Sequence, residues 1–129
     1  ALGGVERVSG VEISPEAIAS ARETSEELGV SGRVSLVASD AQKWAFTQNR
    51  DHYPDALVIN PPRRGIGTGL ARWINQSDIS TVIYSSCYPK SLVSDLQLMN
   101  SYRLQEARLF DMFPHTNHME CAVLLEKLP

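Results

Sequence analysis

Four stretches of the chain carry side chains able to act on a bound molecule: Glu12 in "GVEIS", Asp40 at the end of "VASD", Asn60 in "NPPR" and Cys87 in "YSSCYPKS". Each stands where an apolar run gives way to a loop or a helix start. In open α/β sheets ligands bind outside the carboxyl ends of the strands, so the four are expected to converge on one crevice.

The residue types suggest distinct jobs. Glu12 ends a strand directly before a helix, where a carboxylate accepts hydrogen bonds from ribose hydroxyls; a solvated acid favoured by the helix dipole is the equal alternative. Pro61 and Pro62 stiffen the backbone past a strand end and hold the Asn60 side chain out for a ligand; a rigid turn that binds nothing is the alternative. The turn is similar to the Asn/Asp–Pro–Pro–aromatic motif of amino-methyltransferases, but Arg63 stands where the aromatic would be. Arg63, with Arg64 beside it, suits a phosphate or a carbonyl-rich base instead.

Cys87 by composition alone is a buried filler. Its place at a strand end, among Ser85, Ser86 and Pro89, makes it a candidate nucleophile. Cys121, inside the alternating run "MECAVLLE", reads as a core residue. His115, His118 and Glu120 in "FPHTNHME" raise the question of a metal, but H-x-x-H on a loop lacks the fixed i, i+4 helical geometry, and no metal site is expected. Glu120 is the better candidate for a general base, with an edge-strand surface acid as the alternative.

The elements that must position these groups follow from pattern. The chain has 129 residues, 43% hydrophobic and 21% charged, which predicts one domain over residues 1–129. Strands are expected over residues 6–13, over "RVSLVAS", over "DALVIN" and over "STVIYSS", alternating with helices, the signature of an α/β domain with a mostly parallel sheet. Ser14 caps the first helix, Pro15 takes its first position, Ile18, Ala21 and Leu28 form its core face, and Gly29 ends it. Further helices are expected over residues 41–46, 70–75 and 92–99. "DALVIN" is continuously apolar and predicts burial on both faces. "YRLQEARLFDM" and "MECAVLLEKL" read as an antiparallel pair joined by "FPHTNH".

No apolar run approaches the roughly 18 residues of a membrane span and the N-terminus lacks a signal-peptide pattern, which predicts a cytoplasmic location without membrane contact. Two cysteines and no C-x-x-C pair exclude a disulfide framework and the usual zinc or iron–sulfur spacing. The net charge of −3 argues that, if nucleic acid is the substrate, most of the grip on its backbone lies elsewhere.

Taken together, "GVEIS", "VINPPRRGIG", "YSSCYP" and "LFDMFPHTNHMECAVLL" resemble the RNA (uracil-C5)-methyltransferases, closest to the branch that acts on 23S ribosomal RNA. The resemblance implies a class I, Rossmann-like, S-adenosylmethionine-dependent sheet with an antiparallel C-terminal hairpin. It implies that Glu12 binds the cofactor ribose, with Asp40 and Asn60 as further cofactor contacts, and that Arg63 and Arg64 meet the RNA. Cys87 would be the nucleophile and Glu120 the base that removes the C5 proton. Tyr88 stands where the family more often has Asn, and Asn60 where many members have Asp.

No strand with a Gly-rich turn precedes Glu12, so the chain is expected to be the C-terminal catalytic part of a longer enzyme, nearly inactive alone, with an exposed sheet edge open to self-association. The resemblance places any iron–sulfur cluster in the full-length protein and outside this chain. Two alternatives stay open: an amino-methyltransferase working through the Asn60–Pro61–Pro62 turn, and a non-catalytic interaction module.

Overall fold

The computed structural model describes residues 3–111 and 119–129, and the backbone forms two compact units, Ala1–Thr47 and Gln48–Pro129.

In the first unit, β1 (Val8–Glu12) and β2 (Val34–Ala38) are joined by the helix α1 (Pro15–Glu27), and α2 (Ala41–Ala45) follows β2. The two strands pair in parallel, with Glu12 opposite Ala38, so the acids after both strands come to one edge. The start of α1 follows from its sequence: the Ser14 hydroxyl accepts the Ala17 N–H at 3.2 Å, and Pro15, which has no N–H to satisfy, comes next. Its end is a Schellman motif. Gly29, at φ 66°, donates to the Glu26 carbonyl, and Val30 donates to that of Ser25. The expected core face of α1 is only partly realised: Ile18 is buried together with Ser25, whereas Ala21 and Leu28 are exposed. Leu28 is the cap residue, already outside the helix.

In the second unit, β3 (Ala56–Ile59), α3 (Gly67–Gln76), β4 (Thr81–Ser86), α4 (Pro89–Leu96), β5 (Tyr102–Phe110) and β6 (Glu120–Lys127) follow in order. The sheet order is β3-β4-β6-β5. β3 and β4 are parallel, and β6 lies antiparallel between β4 and β5, as the alternation of the last two runs predicts. Residues 113–118, the expected connection with His115 and His118, lie outside the described residues.

Both helical connections, β3–α3–β4 and β4–α4–β5, link strands that run the same way, and right-handed crossovers put both helices on one face. That face holds the core: Val82, Tyr84, Val123 and Leu125 are buried, with Leu70, Ala71 and Ile74 of α3 and Leu92 of α4. The expectation that "DALVIN" is buried on both faces therefore fails. Val58 is 69% exposed and its neighbour Ile83 39%, because they point to the face that α3 and α4 leave open.

The far end of this unit is tied by polar contacts. Ser101 donates its N–H to Asn75 Oδ1 at 2.8 Å, and Lys127 Nζ donates to the Asn75 carbonyl at 2.7 Å and to Ser101 Oγ at 2.9 Å. The Tyr102 hydroxyl donates to the Ile79 carbonyl at 2.8 Å. Among the described residues no helix is long and apolar enough to cross a membrane.

Candidate active site

Burial alternates along β4. Val82, Tyr84 and Ser86 are buried, while Ser85 on the opposite face is half-buried. This parity sends Tyr84 and Ser86 toward the helices and leaves Ser85 free to meet a side chain across the open face. β6 supplies that side chain. Ser86 pairs with Cys121 across the antiparallel ladder, which puts the first residue of β6 beside the last residues of β4. There the Ser85 hydroxyl donates to Glu120 Oε1 at 2.5 Å.

Cys87 follows at once and is half-buried with its thiol free. Its backbone is folded by Ser86, whose side-chain oxygen accepts the Tyr88 N–H at 3.1 Å. This is a Ser turn, in which a side chain closes a loop two residues on. Ser91 donates to the Tyr88 carbonyl at 2.9 Å, and Pro89 starts α4. The helix thus begins three residues before the expected Leu92, since proline is favoured in the first turn. Cys121, expected in the core, is half-buried.

Asn60 leaves β3 directly after Ile59, which pairs with Tyr84, and its side chain is exposed. The loop beyond it closes when Gly65 donates to the Pro62 carbonyl at 2.9 Å. Gly65 has φ 81°, a conformation that costs glycine little. Arg63 and Arg64 are exposed, and the Arg63 guanidinium lies 5.1 Å from the centre of the Tyr88 ring, within cation–π range. The second unit therefore brings Asn60, Arg63, Cys87 and Glu120 to the same edge of one sheet.

In the first unit, Glu12 and Asp40 sit at the carboxyl edge of the strand pair, where Ser39 donates to the Glu12 carbonyl at 2.9 Å. Both serve the following helices. Glu12 Oε1 accepts the Ser14 N–H at 3.0 Å, and Asp40 Oδ1 accepts the Lys43 N–H at 2.9 Å. Glu16 is held below the usual carboxylate range by backbone N–H donation and by the Ser14 hydroxyl. Glu12 is exposed and Asp40 half-buried. As acceptor-only groups at strand ends they suit the hydroxyl and amine donors of a nucleoside.

One residue of the second unit escapes sequence reasoning. Asp95 is 5% exposed and accepts the Tyr84 hydroxyl at 2.6 Å and the Ile66 N–H at 2.9 Å. Burial, and then the Asp95 carboxylate, push the Tyr84 hydroxyl well above its ordinary pKa, so it stays a donor. The available signal was spacing, since Asp95 follows Leu92 by three and so shares the buried stripe of α4. Among the described residues, no group of three or more His, Cys, Asp or Glu side chains comes together.

Comparison with known proteins shows the family and the fold of the chain. Residues 8–128 match the family model described as tRNA (Uracil-5-)-methyltransferase. The chain is 40% identical over 121 residues to the 23S rRNA (uracil(747)-C(5))-methyltransferase RlmC of Shewanella loihica, covering 94% of the chain and 32% of the relative. It is 44% identical over 123 residues to the protein of the same description from Halothiobacillus neapolitanus, covering 95% and 32%. The chain thus spans about a third of the length of these curated relatives. Among solved structures it superposes on the Pyrococcus abyssi tRNA (uracil-54, C5)-methyltransferase in complex with S-adenosyl-L-homocysteine, with a TM-score of 0.83, 27% identity and coverage of 97% of this chain and 30% of that one. TrmN from Thermus thermophilus matches with a TM-score of 0.66 at 19% identity, over 95% of this chain and 36% of that one. The fold is the α/β, Rossmann-like methyltransferase fold, with antiparallel strands in a mixed sheet.

Proposed function

Because the chain belongs to the tRNA (uracil-5-)-methyltransferase family, we propose that it is the catalytic part of an enzyme that methylates C5 of a uracil in 23S ribosomal RNA. S-adenosylmethionine would supply the methyl group as an electrophile. Glu12 would accept hydrogen bonds from the ribose hydroxyls, with Asp40 and Asn60 contacting other parts of the same molecule.

The uracil ring gives the reason for a cysteine. C5 is a weak nucleophile, so the Cys87 thiolate would add to C6, its electron pair pushing the ring into an enolate whose C5 would take the methyl group while the cofactor sulfur keeps the electrons of the S–CH3 bond. Once C5 carries the methyl, Glu120 takes the C5 proton. The electrons of that C–H bond then rebuild the C5–C6 double bond and expel the Cys87 thiolate. Arg63 and Arg64 would meet negatively charged oxygen, either a phosphate or the enolate. Such a site admits a uracil only once it has left its base stack. With a net charge of −3, this chain leaves most of the RNA grip to the rest of the complete protein.

The observation that carries the reading is the bond from Ser85 to Glu120, which holds a carboxylate at the strand end from which Cys87 emerges. The experiment is methyl transfer from labelled cofactor to target RNA by the complete gene product. Cys87→Ala is expected to lower the rate by more than about a thousandfold, since deleting the nucleophile of a serine protease costs about a millionfold. Turnover within about tenfold of the parent would remove Cys87 from the reaction.

A further inference from the structure

We infer that Asp95 is a positioning residue for the reaction proposed above: by holding the Tyr84 hydroxyl and the Ile66 amide at once, it fixes the loop 63–65 against the Cys87 turn, so that Arg63 on Tyr88 meets a negatively charged oxygen of the RNA. The inference rests on that reading of the function.

The geometry is closed from three sides. Tyr84 lies on β4, three residues before Cys87, and its hydroxyl reaches Asp95 Oδ2 at 2.6 Å; Ile66, the residue before α3, donates its N–H to the same oxygen at 2.9 Å. No side chain of the loop itself caps α3. The carboxylate of α4 takes that place at the positive end of the helix. Gly65 completes the fit, because a Cβ there would run into Asp95 Oδ2 and stand 3.3 Å from Ser91 Cβ.

A buried carboxylate held by two donors is a demanding arrangement to keep. Among the described residues no Lys or Arg pairs with it. For packing alone a leucine at this position of α4 would serve. What the carboxylate adds is a fixed distance between two chain segments: one carries Arg63, and the other carries Cys87 and Tyr88. Those segments meet again at the surface, where the guanidinium sits 5.1 Å from the Tyr88 ring centre. The loop is therefore held at its base by Asp95 and at its tip by Tyr88.

The test is a double-mutant cycle between Asp95 and Arg63 in the complete gene product, read as kcat/KM for methyl transfer to RNA. Asp95→Ala is expected to lower it by about tenfold to a hundredfold, and to add little in an Arg63→Ala background. Asp95→Asn, whose amide oxygen still accepts both bonds, should restore activity to within about threefold. Gly65→Ala and Tyr84→Phe disturb the same contact from its other two sides and serve if Asp95→Ala does not fold. Equal losses from Asp95→Ala with and without Arg63 would overturn the inference, since a residue supporting only the fold acts additively. If the parent itself methylates no uracil, the proposed function fails separately. The same cycle is then read on labelled-RNA binding, where coupling of Asp95 to Arg63 upholds the inference and additivity overturns it.

Discussion

Replacing Ser85 with alanine removes a single hydroxyl and isolates what it does for Glu120. The bond it makes is 2.5 Å long and half-buried, and hydrogen bonds to charged groups contribute about 1.5–3 kcal/mol. Partial exposure to water lowers that to about 1–2 kcal/mol. If the whole loss falls on the step in which Glu120 removes the C5 proton, the rate drops about 5- to 30-fold. The drop has a particular form. In the proposed mechanism the addition of Cys87 and methyl transfer both precede proton removal, so the slowed step would trap the protein joined to methylated RNA. The assay pairs release of tritium from RNA labelled at uracil C5 with a denaturing gel that counts covalent protein–RNA complex. Tritium release should slow in Ser85→Ala while the complex accumulates. A rate loss without accumulated complex, or unchanged tritium release, would refute the idea that Ser85 holds the base.

Three further outcomes follow from other contacts. The Arg63–Tyr88 stack lies at an exposed site, where such contacts contribute about 0.5–1 kcal/mol; Tyr88→Ala should therefore raise the KM for RNA about two- to fivefold, and Tyr88→Phe should leave it unchanged in steady-state kinetics. Asn75→Ala takes the acceptor from the Ser101 N–H, which should cost about 1–3 kcal/mol in equilibrium unfolding with kcat unaltered, because Asn75 lies at the far end of the sheet from Cys87. Burial raises the pKa of both Tyr84 and Tyr102. As pH climbs above the ordinary tyrosine value of about 10, the unfolded chain loses these protons while the folded one keeps them, so stability falls. Urea unfolding from pH 9 to 11.5 should show a shallower fall for Tyr84→Phe than for the parent.

How much of this was legible in the sequence depends on how local the cause is. The ends of α1 were readable because Ser14, Pro15 and Gly29 act within a few residues of themselves. Cys87 was readable as a strand-end thiol because the apolar run "STVIY" marks where β4 stops, although the start of α4 at Pro89 was expected three residues later. The hairpin was readable from its alternation. The partner of Glu120 was not, since it depends on the register of β6 against β4, which joins residues 35 apart. The exposed face of β3 was hidden for a similar reason: "DALVIN" records that every side chain is apolar, but which face is covered is decided by the handedness of two later crossovers. Asp95 went unnoticed because a lone acid in "PKSLVSDL" looks like a solvated helix residue until Tyr84 and Ile66 are brought to it.

The central claim is that Cys87 bonds to C6 of the target uracil. The most direct measurement is mass spectrometry of the complete gene product after reaction with cofactor and RNA carrying 5-fluorouridine at the target. Fluorine at C5 cannot leave as a proton does, so the reaction should stop at the covalent stage. The account predicts one nucleotide, methylated at C5, attached to the peptide that contains Cys87. Attachment to Cys121, or methylated RNA with no peptide attached, would contradict it.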